Sequence, residues 1–223
     1  MPPKAEAHST ERPDKVPTDK REDVLKRAYE KLPPVHKPNA FVALMRSWGF
    51  SLSPSARKQV AIVSRYQLHG FEEVFSAYYT GLDLAVACTT TQMESNGQMI
   101  YGQDPGSEWM NEGPYGKLWE EPVTKENATW AWNLISQGSH TSNGFGIKQL
   151  TSPSLIGDAM AHGGVWDPQH NCAAGDRFFL SLIKESGSLW AAFMHYNGSG
   201  PAAEQYANNC CQVVNVWRAR LGE

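Results

Sequence analysis

Long apolar runs are missing from this chain. No stretch of about 18 apolar residues occurs, so the sequence offers no membrane-spanning helix. An excess of charge of one sign is missing too. Lys and Arg total 20 against 23 for Asp and Glu, a net of −3, which removes the electrostatic reason to expect nucleic acid or an anionic membrane surface as a partner. The start, Met1-Pro2-Pro3-Lys4-Ala5-Glu6, lacks the basic-then-apolar order of a secretory leader, and the expectation is a chain made in a cytoplasm. Cysteine is sparse. Cys88, Cys172, Cys210 and Cys211 contain no C-x-x-C pair, which argues against a structural zinc site, and cytoplasmic thiols are expected to stay reduced. Sustained period-2 alternation is also absent, so strands should be few.

What remains is a chain of 223 residues, 41% apolar and 11% aromatic, long enough to bury one sizeable core. Residues 1 to 40 differ from the rest: they hold 9 basic residues, 7 acidic residues and 7 of the 14 prolines, with almost no aromatics. That composition reads as an arm, either a solvated tail or a docking segment ordered by a larger assembly. Within it residues 18 to 29 can form a short helix, ended by Pro33-Pro34.

From Phe41 onward the spacing is helical. Phe41, Val42, Leu44, Met45 and Trp48 share one face before Gly49, and Ser53-Pro54 opens a second helix that should run to about His69-Gly70. Further helices are predicted from about Gly81 to Asn96-Gly97 and at 124 to 136, 152 to 162, 168 to 186, 188 to 196 and 202 to 220. Residues 98 to 123 break this texture, because glycines and prolines interrupt Tyr101, Trp109, Tyr115 and Trp119. A long loop of this kind is either a lid packed on the core or a surface offering aromatic faces to carbohydrate rings.

One carboxylate stands out by position. Glu94 closes the mainly apolar helix that carries Leu82, Leu84, Ala85 and Val86, so its upstream turns must be buried. Desolvation there disfavours the charged carboxylate and fits Glu94 to donate a proton near neutrality. Three later segments add polar and glycine-rich elements: Ser142-Asn143-Gly144-Phe145-Gly146-Ile147-Lys148-Gln149-Leu150, then the capped helix containing Asn171, Gly175 and Phe178, then a helix ending at Tyr196-Asn197 before Gly198-Ser199-Gly200.

Together Glu94-Ser95, Gly146-Ile147-Lys148-Gln149, Asn171 with Gly175, and Tyr196-Asn197 resemble, in order, the signature of the soluble lytic transglycosylase catalytic domain, kin of the goose-type lysozymes. The resemblance covers about residues 80 to 208. Lys148 replaces an apolar residue, Phe178 stands where tyrosine is more usual, and the 52-residue gap from Glu94 to Gly146 is longer than the family leads one to expect.

The resemblance implies a mostly α-helical, lysozyme-like domain over 41–223 behind the charged 1–40 arm. It also implies cleavage of peptidoglycan at the β-1,4 bond between N-acetylmuramic acid and N-acetylglucosamine, with a 1,6-anhydromuramoyl product. By it Glu94 is acid and then base, and neither a metal nor another cofactor is required. Ser95, Gln149, Tyr196 and Asn197 are expected as polar groups that orient substrate or Glu94, with the Tyr196 hydroxyl the foremost candidate to bond the Glu94 carboxyl. Ser95 bonding its own helix end and Asn171 making a structural bond are the alternatives to sugar contact. Trp109, beside Glu108 and Asn111, is the expected aromatic sugar contact. Among other acids, Asp104, Glu108 and Glu112 lie in the loop, while Asp158, Asp167 and Asp176 lie on or beside later helices; Asp167 before Pro168 reads as an N-cap. His162, His170 and His195 make no metal-ligand spacing.

A murein-cutting enzyme without a leader is expected in a bacteriophage particle or among lysis enzymes. In that setting the arm would meet other virion proteins. A lysozyme-like hydrolase using water, and a virion component that keeps the fold without turnover, are the competing expectations.

Overall fold

The computed structural model describes residues 54–223. The charged arm and the helix expected from Phe41 lie outside the described residues. The described part is mainly helical, with eight α-helices and only isolated β-bridges. They are α1 (Pro54–Ser64), α2 (Phe71–Thr80), α3 (Leu84–Ser95), α4 (Lys125–Ser136), α5 (Pro153–His162), α6 (Pro168–Ser186), α7 (Leu189–Asn197) and α8 (Pro201–Leu221). Gln59–Glu223 make up one structural unit. Among the described residues no helix is long and apolar enough to cross a membrane.

Local chemistry explains where the helices begin. Asp83, Thr124, Ser152, Asp167 and Ser188 each accept a bond from a backbone N–H of the following first turn, satisfying donors that the helix itself leaves unpaired. Pro153, Pro168 and Pro201 take first-turn positions, where the missing N–H costs nothing. Helix α2 was not expected from the sequence. Its start has no side-chain N-cap, because Gly70 precedes it, and its segment Phe-Glu-Glu-Val-Phe-Ser-Ala-Tyr-Tyr-Thr is rich in residues that favour strands. The turn is closed instead by the Gly70 N–H, which donates to Glu73 Oε2 at 2.7 Å.

Helix α3 is the central element. Every residue from Leu84 to Thr91 is buried, as befits a helix packed on both α2 and α8. Its threonines fit an apolar interior by bonding backward: Thr89 Oγ1 donates to the Ala85 carbonyl at 2.7 Å and Thr90 Oγ1 to the Ala87 carbonyl at 3.0 Å. The helix stops at Asn96, whose left-handed backbone (φ 53°) turns the chain away, so Glu94 sits in the last turn.

Two apolar clusters form the interior. One joins α2, α3, α6, α7 and α8 around Val74, Val86, Phe179, Phe193 and Trp217. The other joins the 98–123 loop, α4 and α5 around Tyr101, Met110, Phe145 and Ile156. Residues 98–123 contain one short 3₁₀ turn, Glu108–Asn111, and are pinned by the Tyr101 hydroxyl, which donates to Asn127 Oδ1 at 2.7 Å. The Asn111 side chain adds a second clasp by accepting from Leu118 N and Trp119 N at 3.0 and 3.1 Å.

Candidate active site

The last turn of α3 brings Glu94 to a half-buried position whose dense surroundings come from several elements. Burial pushes the Glu94 carboxyl from its ordinary value of 4.5 up to about 7. Three neighbours modulate that rise: the Tyr206 hydroxyl and the Lys148 charge pull it down, while the Asp104 charge pushes it up. The hydroxyl of Tyr206, on α8, donates directly to Glu94 Oε1. Glu94 therefore changes protonation near neutrality, the property required of a group that gives a proton and then takes one.

Beside it lies the turn Gly146-Ile147-Lys148-Gln149, which the other motif residues hold in place. Its ends are paired by Phe145 N to Leu150 O at 3.2 Å and Leu150 N to Phe145 O at 3.1 Å. Left-handed backbone at Gly146 (φ 71°) and Gln149 (φ 45°) closes it. At Gly146 a Cβ would stand 2.5 Å from Asn171 Nδ2, so glycine is demanded by conformation and by space together. Ser95 Oγ donates to the Ile147 carbonyl at 2.8 Å and the Tyr196 hydroxyl to the Lys148 carbonyl at 2.8 Å. From beneath, Asn171 accepts from Lys148 N at 2.8 Å and donates to the Phe145 carbonyl at 2.8 Å. All four sequence segments thus converge on one turn next to Glu94.

The convergence differs in detail from the expectation. Tyr196 does not bond the Glu94 carboxyl; it is tied to the turn, and Tyr206 bonds Glu94 instead. Tyr196 is still close enough that the Glu94 charge, after burial itself, helps push its phenol pKa up. Ser95 bonds the turn rather than its own helix end. Gln149 spends both amide protons inside the protein, on the Gly146 carbonyl at 2.8 Å and the Ile100 carbonyl at 3.1 Å. Asn171 is a structural clasp. Asn197 is exposed at the end of α7. Trp109 packs its ring against Trp130 and His140, with centroids 5.5 and 4.5 Å away, and donates its indole N–H to the Thr141 carbonyl at 3.0 Å.

The remaining acids sort by their partners. Asp158 pairs with Arg177, Asp176 pairs with Lys148, and Asp167 caps α6 by accepting from Gln169 N and His170 N. Glu108 and Glu112 are exposed. Among the described acids, Asp104 alone combines electrostatic reach to Glu94 with a buried carboxylate oxygen, Oδ2, that has no hydrogen-bond partner. The segment carrying it is anchored to the turn region by Asn143, which accepts from Asp104 N at 3.0 Å and donates to the Gly102 carbonyl at 2.8 Å.

Among the described residues no cluster of His, Cys, Asp and Glu could hold a metal ion. No family model matches the chain, and neither a curated protein nor a solved structure matches it.

Proposed function

We propose that this chain is a peptidoglycan lytic transglycosylase. The observation that carries the reading is the Glu94 carboxyl: it closes a buried helix, titrates near 7, and abuts a turn on which Ser95, Asn171 and Tyr196 converge. In this reading protonated Glu94 gives its proton to the glycosidic oxygen between N-acetylmuramic acid and N-acetylglucosamine, the bond from the muramoyl anomeric carbon to that oxygen breaks, and N-acetylglucosamine leaves with the oxygen as its hydroxyl. The resulting carboxylate then takes the proton of the muramoyl 6-hydroxyl as that oxygen closes on the anomeric carbon, and the product is a 1,6-anhydro sugar. One carboxyl suffices because the same group is regenerated in its protonated form. The family resemblance supports the lysozyme-like architecture and the substrate. A bacteriophage particle or a lysis enzyme is the setting we propose for it.

A second reading, hydrolysis by water, is favoured by Asp104. Two carboxyl groups, one a proton donor and one an activator of water, are the usual equipment of a glycosidase. The unpartnered Asp104 Oδ2 is a candidate for the second role. Mass spectrometry of products from purified murein separates the two. Anhydromuramoyl ends support transglycosylation, reducing ends with loss of activity in Asp104→Asn support hydrolysis, and no cleavage by the intact chain overturns both and leaves a non-catalytic virion component.

A further inference from the structure

Lys148 is one of the positions at which this chain departs from the motif it resembles, and its side chain is wholly buried. It leaves the turn and crosses the interior over Gly175 of α6, where an added Cβ would stand 2.6 Å from Lys148 Cβ. Its ammonium ends 2.7 Å from Asp176 Oδ1, 2.7 Å from the Ala87 carbonyl and 2.5 Å from Thr90 Oγ1. Asp176 in turn accepts from Ser76 Oγ of α2 at 2.6 Å through its other oxygen. One cation thus joins α2, α3, α6 and the turn. The α3 contacts are specific in register, because Thr90 and Ala87 precede Glu94 by four and seven residues and so lie on its face of the helix.

A lysine needs a reason to be there. Burial alone would strip its proton, but Asp176 restores the charged form and holds its pKa above the ordinary lysine value. An apolar side chain would fill the same space without desolvating an ion pair, and buried pairs are weak sources of net stability. What an apolar residue lacks is direction: three fixed contacts for one ammonium, two of them on the helix that carries the acid.

We propose that Lys148 is a positioning residue that locks the 146–149 turn to the Glu94 face of α3 and stands as a fixed positive charge one helical turn behind the acid. The inference rests on the proposed function for its catalytic meaning, while its electrostatic part concerns Glu94 alone. Among the described residues, the groups that bond Glu94 or interact with its charge are Tyr206 and Cys210 from α8, Tyr196 from α7, Asp104 from the long loop and Lys148 from the turn. Lys148 is the cation among them.

The test compares the full chain with two variants. The first combines Lys148→Met with Asp176→Asn, which removes both charges while the introduced amide can still accept from Ser76. The second, Thr90→Val, cuts one tie to α3 and keeps the charge. The readouts are a carbon NMR titration of the Glu94 carboxyl without substrate and murein turnover against pH. For the double variant we expect a higher Glu94 midpoint and turnover lower by about tenfold to a hundredfold with KM little changed, the signature of misplaced rather than missing chemistry. For Thr90→Val we expect an unchanged midpoint and a smaller loss of turnover, about threefold. An unmoved midpoint in the double variant overturns the electrostatic role, and wild-type turnover in Thr90→Val overturns the positioning role. If the double variant does not fold, Thr90→Val still decides the tie. If the wild-type chain does not cleave murein, the proposed function fails, whereas the NMR midpoint still decides whether Lys148 acts on Glu94.

Discussion

Tyr206 and Glu94 stand 112 residues apart in the sequence, and the phenol of one donates a hydrogen bond to the carboxyl of the other. That bond favours the charged carboxylate, so it works against the burial that raises the Glu94 pKa. Tyr206→Phe keeps the ring and deletes the donor. The Glu94 midpoint is expected to climb further above 7, which keeps the acid protonated to higher pH and moves the alkaline limb of the activity profile upward. A rate profile of murein cleavage against pH reads this directly, and a limb that moves down contradicts it.

Glu94→Gln preserves size and the acceptor for Tyr206 but has no proton to give, so cleavage should fall at least about a hundredfold with the fold intact. The same substitution carries a stability signature. Below pH 4.5 the carboxyl is protonated in both folded and unfolded chains, so it adds no penalty. Between 4.5 and about 7 the unfolded chain releases the proton while the folded one retains it, and stability drains away as pH rises. The variant escapes that drain. Urea unfolding should find it level with wild type near pH 4 and more stable near pH 8, by on the order of 2 kcal/mol after allowing for the partial solvation of the site.

Gly175→Ala tests the path of the Lys148 stem. Alanine is the better helix former by about 1 kcal/mol. Here its Cβ would meet Lys148 Cβ at 2.6 Å, and Lys148 cannot retreat, because its N–H is held by Asn171 and its carbonyl by Tyr196. The sign should therefore reverse, with a loss of about 1 to 3 kcal/mol in denaturant unfolding.

Trp109→Ala separates packing from sugar contact. The ring packs at a tilt against Trp130 and His140 and its N–H is bonded to Thr141, so truncation should cost about 3 kcal/mol and lower the melting temperature. Binding of a chitin oligosaccharide, measured on the folded variant below its melting range, tells whether the exposed part of the ring also serves a ligand. Unchanged affinity leaves the 98–123 loop as structural cover.

The helix that opens at Asp167-Pro168 was legible because a side-chain cap is a local device, whereas the helix expected from about Gly81 begins only at Leu84, after the Asp83 cap. Helix α2 was not legible, since its start depends on Glu73 reaching back to a glycine. Glu94 was legible for a similar reason: its burial follows from the apolar turns just before it in the chain. Tyr206 gave no such sign. It lies on a helix whose neighbouring residues, Gln205, Ala207, Asn208 and Asn209, mark no chemistry, and its role exists only because α8 packs on α3. Lys148 was visible as a departure from a motif, but the partners that make a buried lysine tolerable, Thr90 and Asp176, lie 58 residues before it and 28 residues after it.

Helix α6 belongs to both apolar clusters, with Ala174 in the second and Phe179 and Leu182 in the first. Its segment from Asn171 to Asp176 is buried at every position. Neither cluster can dissolve without stripping one half of this shared axle, so their melting is coupled and heat should produce a single cooperative transition rather than two. The amide protons of 171–176 would then exchange with solvent only when the whole unit opens, which makes the floor beneath the Glu94 turn the slowest-exchanging part of the molecule.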